Sequence, residues 1–162
     1  MIFLTVGTQF PFDRLVKAVD DAAGKGAAGD EVFAQTGGGT YRPRNMKYVE
    51  KMERGEFAEC VAKARAIIGH AGMGTILVAV EAGKPLLVMP RRAEFGEIVN
   101  DHQLATAAKS AHEWSHESET VPAPLRPVWK KLGGRPQLQS FRHWLVWESS
   151  PDPSTQPVAR WG

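Results

Sequence analysis

The chain has 162 residues, which fits one domain or a domain with a tail and excludes two full domains. Hydrophobic residues make up 43% and charged residues 23%, so a core can form without staples; the lone Cys60 excludes an internal disulfide framework and a Cys-based zinc site. Twenty Lys and Arg against 18 Asp and Glu leave a net charge of +2, too little to build a nucleic-acid-binding surface.

The chain opens on Ile2 to Val6, apolar, rich in β-branched residues and ended by Gly7, the pattern of a strand buried on both faces. Phe12, Leu15, Val16 and Val19 then form one stripe of an amphipathic helix, with Pro11 suited to its first turn. A Gly- and Ala-rich break from Gly24 to Gly29 leads to a second strand, Glu31 to Thr36, stopped by Gly37 to Gly39. Phe57, Cys60, Val61 and Ala64 repeat the helical spacing, and Ala66 to Ile68 reads as a third buried strand. A helix is predicted from about Gly74 to Ala82, apolar on most sides through Ile76, Leu77 and Val80 and hence largely buried, with Gly83 as its stop. Leu86 to Met89, between Pro85 and Pro90, reads as a fourth core strand, and 100–108 as the next helix. No run reaches the about 18 apolar residues of a membrane span, and Met1 to Val6 lacks the positive flank of a signal peptide, so a cytoplasmic location is expected.

Strands alternating with helices imply parallel pairing, hence an open α/β sheet with helices on both faces. Ligands of such sheets bind beyond the carboxyl ends of the strands. The distinctive polar and glycine-rich residues fall at those ends: Gly7-Thr8-Gln9, Gln35-Thr36-Gly37, Gly69 to Thr75, and the stretch after Met89.

The composition changes after about Ala108. All five Trp, seven of the eleven Pro and three of the five His lie beyond it, which divides the chain into an α/β domain over 1–108 and a divergent tail over 109–162. Within the tail, His143 to Trp147 resembles a strand or interface segment, and 149–157 has the composition of a disordered end. A shifted reading frame, a partner-docking segment and a disordered extension each account for the change.

The glycine loop carries the strongest local signal: a strand, three glycines within six residues, then a helix. Such a turn can present backbone N–H groups and a positive helix end to an anion such as a diphosphate, or it can be a tight turn without a ligand. It lacks the P-loop Lys, and Gly69, Gly72 and Gly74 are not at dinucleotide-fingerprint spacing. His70 could hydrogen-bond a phosphate, donate a proton or be structural. Asn100-Asp101-His102-Gln103 sets four hydrogen-bonding side chains at a helix start, as a cap or as contacts to sugar hydroxyls. Arg91-Arg92 could serve a phosphate or an acidic partner, with a solvated pair as the default, and Asp20-Asp21 and the acidic residues from Glu50 to Glu59 read as exposed helix faces.

Four of these segments together resemble the C-terminal domain of glycosyltransferase family 28: Val6 to Val16, Gly69 to Thr75, Glu81 to Leu86, and Asn100 to Gln103. The likeness is to its small stand-alone members, the PssE-like exopolysaccharide glycosyltransferase subunits and the cytosolic catalytic subunit of chitobiosyl-diphosphodolichol synthase. The resemblance implies the Rossmann-like C-terminal half of a GT-B enzyme, which binds a UDP-sugar as substrate and uses no cofactor or metal. By position it assigns Gly72, Gly74 and Thr75 to the diphosphate, with His70 beside it as the catalytic candidate, and Asn100, Asp101 and Gln103 to the donor sugar. Gln35, Thr36, Gly37 and Glu81 would line the crevice, Gly7, Thr8 and Gln9 would face the acceptor, and the 48–52 segment with Val49 would cover the base. Many relatives have Glu where this chain has Val78. The implied partner is a PssD-like membrane-associated subunit supplying the acceptor half, with a lipid-diphosphate acceptor at the cytoplasmic membrane face. The competing reading is an interaction module that keeps the fold without turnover.

Overall fold

The computed structural model describes residues 1–26, 28–99 and 103, together with the backbone of 144–146. Six strands form one parallel sheet: β1 (Ile2–Thr5), β2 (Val32–Gln35), β3 (Lys47–Val49), β4 (Ala66–His70), β5 (Leu86–Met89) and β6 (Trp144–Val146). Three helices are interleaved, α1 (Asp13–Gly24), α2 (Arg54–Lys63) and α3 (Met73–Glu81). The strand order is β3-β2-β1-β4-β5-β6. The chain therefore winds outward one way from β1 and then reverses to β4 and beyond. In open α/β sheets the reversal, here between β1 and β4, is where the crevice for ligands is expected.

Side-chain alternation puts the core in two layers. Ile2, Leu4, Ala66, Ile68, Leu87 and Met89 face α1, which buries Leu15, Val16, Val19 and Ala22 against them. Phe3, Ile67, Leu86 and Val88 face the other way, onto Val61 and Ala64 at the end of α2 and Ile76 and Ala79 of α3. Phe3 is fully buried, stacked on Phe33 and edge-on to Phe57 at 5.4 Å.

The parallel α/β sheet expected from the pattern is present, with several local differences. Helix α1 starts at Asp13 with Phe12 as its N-cap, so Pro11 precedes the helix rather than sitting in its first turn. Lys47–Val49 is an edge strand, invisible in the sequence because a three-residue strand with an exposed Lys shows no usable periodicity. Trp144–Val146 pairs with Leu86–Val88, so the outer edge of β5 is occupied by the segment that resembled a strand. Helix α3 is not largely buried: Ile76 points inward, whereas Leu77 is 50% and Val80 38% exposed. A helix on one face of a sheet covers only the stripe it turns to that face, whatever the hydrophobicity of the rest.

Asp20 does not lie on an exposed face either. It is 1% exposed, and its carboxylate accepts hydrogen bonds from the Arg44 and Asn45 backbone N–H, the Tyr41 hydroxyl and the Asn45 amide. Burial pushes this carboxyl up, and those hydrogen bonds more than offset it, holding the group below its ordinary value. Asp13 acts on the same connection through the N–H and hydroxyl of Thr40. Between them the two aspartates pin the long β2–β3 connection to α1. By contrast, Asp21 and the acidic residues from Glu50 to Glu59 are exposed or half-exposed, as expected. Among the described residues no helix is long and apolar enough to cross a membrane.

Candidate functional site

The loops after β1 and β4 meet at the point where the strand order reverses. His70 ends β4 and stands between them. Its Nδ1 shares a hydrogen bond of 3.1 Å with the Thr75 hydroxyl in the first turn of α3, which orients the ring. Glycines flank it on both sides. Gly7 holds φ +74, and a Cβ there would come within 3.2 Å of the His70 ring. A Cβ on Gly72 would lie 2.5 Å from His70 Nε2, closer than real Cβ atoms come. A side chain at Gly72 would displace the imidazole, and one at Gly7 would crowd it.

Gly72 is the N-cap of α3, and no side chain caps that end. The first N–H groups of a helix have no partner within the helix and, with the macrodipole, give it a positive end. Gly74, at the second helical position, has nothing within 4 Å of where a Cβ would stand. The backbone there is open to a ligand. Met73 is 54% exposed beside it.

The imidazole is neutral in this setting. Burial, and then the positive charge of Arg91, push its pKa down to about 4. A neutral ring can still donate one N–H to an anion, but it does not carry a stored proton at pH 7.

The other expected site residues take varied places. Thr8 and Gln9 are exposed at the tip of the β1–α1 turn. Gln35 is 2% exposed and lies beneath the crevice: its Oε1 accepts from the Thr5 hydroxyl at 2.7 Å and its Nε2 donates to the Gly7 carbonyl at 3.1 Å. Thr36 and Gly37 are buried next to it, their N–H groups donating to the Val49 and Glu50 carbonyls. These residues support the Gly7 turn from below, and Val49 serves them through its backbone. Glu81 is exposed at the far end of α3, about 13 Å along the helix from Gly72 at 1.5 Å per residue. Val78 packs against the second core layer. Gln103 is 4% exposed, and its Oε1 accepts from the Arg91 N–H. Asn100 and Asp101 lie outside the described residues.

The default of a solvated pair for Arg91-Arg92 does not hold at Arg91. The structure corrects this: Arg91 is 2% exposed, and one guanidinium nitrogen donates to the Val6 carbonyl at 2.8 Å and to the Phe10 carbonyl. Desolvation lowers its pKa to about 10, so it stays charged at neutral pH. Its neighbour Arg92 is half-buried against Glu94. Glu97 is also buried, clamped by Arg14 through two hydrogen bonds of 2.7 and 2.8 Å and by the Arg92 N–H. The one available signal was position: a basic residue directly after a buried strand, at the crevice end. A separate open hollow of about 570 Å³, lined by Lys17, Tyr41, Arg42 and Arg44 among others, lies on α1 and the β2–β3 connection and shares no residue with the site. At the strand-order reversal, by contrast, glycines, a helix end and a buried cation come together.

The family model described as glycosyltransferase family 28 C-terminal domain matches residues 1–137. The chain belongs to that family. The match continues past residue 108, into the stretch the composition set apart. The chain is 31% identical over 129 residues to the UDP-N-acetylglucosamine transferase subunit ALG13 of Homo sapiens, covering 71% of this chain and 10% of that protein. It is 30% identical over 154 residues to the subunit of the same name from Mus musculus, covering 86% and 13%. It thus spans roughly a tenth of the length of the curated relatives it matches. Among solved structures, the glycosyltransferase SnogD from Streptomyces nogalater aligns at 27% identity over 66% of this chain and 29% of its own, with a TM-score of 0.40. The glycotransferase of kitacinnamycin aligns at 18% identity over 85% and 36%, with a TM-score of 0.49.

Proposed function

We propose that this chain is the donor-binding subunit of a two-subunit, metal-independent hexosyltransferase. It moves a sugar from a UDP-sugar to a lipid-diphosphate-linked acceptor in surface polysaccharide synthesis. One observation carries the reading: an uncapped helix end, an open Gly74 backbone and an oriented neutral imidazole converge at the strand-order reversal of a family 28 domain. In the ligand-free protein the α3 N–H groups lack helical partners, and a diphosphate supplies the acceptors they need.

In this reading the α3 N–H groups, that of Thr75 among them, hold the diphosphate, the Thr75 hydroxyl donates to Nδ1 of the neutral His70 and so leaves its Nε2–H for the diphosphate, and Gln103 with Asn100 and Asp101 grips the donor sugar. Transfer breaks the bond from the sugar C1 to the diphosphate oxygen and forms one from C1 to the acceptor oxygen. The charge that develops on departing UDP falls on dipoles already in place, which need no reorganisation. The acceptor proton goes to a base on the partner, a PssD-like subunit that would hold this chain at the cytoplasmic membrane face. The donor named in the relatives, UDP-N-acetylglucosamine, is the first to test.

Calorimetry with UDP decides the matter. The wild type should bind UDP, and Gly72→Glu, which drives a carboxylate into the His70 ring and the helix end, should abolish binding. A chain that does not bind UDP favours the module without turnover, a reading that Val78 supports by presenting valine, packed on the core, where many relatives carry a ribose-binding Glu.

A further inference from the structure

Among the described residues Arg91 is the one buried Lys or Arg, and its contacts reach two loops. Its side chain donates to the carbonyls of Val6 and Phe10, the residues that bracket the Gly7-Thr8-Gln9 turn. Its backbone N–H donates to Gln103 Oε1. Its guanidinium also lies over Phe10 at 6.0 Å and Phe12 at 5.2 Å. The stack continues through Arg14, at 5.3 Å over Phe12 and 5.0 Å over Phe95, to Arg92, at 5.7 Å over Phe95. Rings and guanidiniums thus alternate from the β1–α1 turn to the 3-10 turn Ala93–Phe95 after β5.

The arrangement is costly for a purely structural cross-link. Arg91 Nε is buried with no hydrogen-bond partner among the described residues, and buried unpaired polar groups are destabilising. A leucine or methionine would fill the same volume without that cost, but neither could bond two carbonyls on either side of a turn.

Resting on the donor-site reading above, we propose that Arg91 is a positioning residue for transfer, tying the acceptor-facing turn from Gly7 to Phe10 to the donor-side amide of Gln103. One residue then sets the distance between the loop that meets the acceptor and the side chain that meets the donor sugar. The guanidinium suits this because one of its nitrogens donates to both carbonyls while its planar face stacks on Phe10 and Phe12, which an ammonium on a flexible stem cannot match.

The test uses the full chain, with Arg91→Lys and Arg91→Gln, ¹⁵N relaxation and UDP calorimetry. In the wild type the amides of Gly7 to Phe10 should show order parameters near the rigid value of about 0.85, and the Arg91 side-chain N–H signals should correlate across hydrogen bonds with the Val6 and Phe10 carbonyls. In both variants the turn should drop below about 0.6 while the amides of β1 and β4 stay unchanged. UDP affinity should remain within twofold in Arg91→Lys, which keeps the positive charge that His70 feels, and should fall in Arg91→Gln, which removes it. If Arg91→Lys restores the turn, the charge alone suffices and the proposal fails. It also fails if the wild-type turn is already mobile or lacks the cross-bond correlations, which settles the question even where both variants unfold. Absence of UDP binding to the wild type would overturn the donor-site reading and leave the turn measurement intact, so the two failures are separable.

Discussion

Gly74→Ala offers a test in which stability and binding move in opposite directions. Gly74 occupies the second position of α3, and a methyl group there meets nothing within 4 Å. Replacing a helical Gly with Ala stabilises by up to about 1 kcal/mol, chiefly by restricting the unfolded chain. For a chain of this size that is a rise in Tm of about 2–4 °C. The same methyl occupies the space in which a phosphate oxygen must approach the backbone. Losing one charge-assisted hydrogen bond to the diphosphate costs about 1.5–3 kcal/mol, or roughly 10- to 150-fold in Kd. Thermal melts of the ligand-free protein read the first quantity, and UDP calorimetry reads the second. A variant that melts higher yet binds UDP as the wild type does would show that no phosphate sits against Gly74, and the site would have to lie elsewhere. A variant that melts lower would mean that the space around Gly74 is already filled.

Phe3→Ala should cost about 3–5 kcal/mol in urea unfolding, since it removes a fully buried ring that contacts Phe33 and Phe57; a loss below 1 kcal/mol would contradict the packing of that layer. Asp20→Asn should cost about 1–3 kcal/mol, because an amide cannot accept from all the donors that converge on the carboxylate. As the folded pKa of Asp20 lies below its unfolded value near 3.8, its contribution is whole above about pH 4 and lost as pH falls further, so the Asn variant should show a shallower acid decline in stability. His70 should titrate near pH 4 by NMR, and Arg91→Gln should raise that midpoint by removing the second cause of the depression. Because its folded pKa lies below the unfolded 6.5, the stability tied to the neutral ring is whole above pH 6.5 and declines toward pH 4; a wild-type midpoint near 6.5 would contradict a buried imidazole.

Local pattern alone was enough to read the four inner strands, the three helices and their alternation, because buried parallel strands show as short apolar runs and each helix carries its own period. That order implied the parallel sheet, and the sheet implied that ligands bind at the strand ends. The glycine loop was legible for the same reason: a strand, glycines and a helix are contiguous in the chain.

What only the tertiary structure decided are the places where a residue's environment comes from distant partners. Arg91 bonds carbonyls 85 and 81 residues away, and apart from its place nearer the end of a buried strand nothing in the sequence sets it apart from the half-buried Arg92. Asp20 sits on a helix whose spacing marks it as polar and outward, yet the returning β2–β3 connection covers it. Leu77 and Val80 look like core and stay exposed, because hydrophobicity is a property of a side chain, whereas burial depends on which elements the fold brings against it.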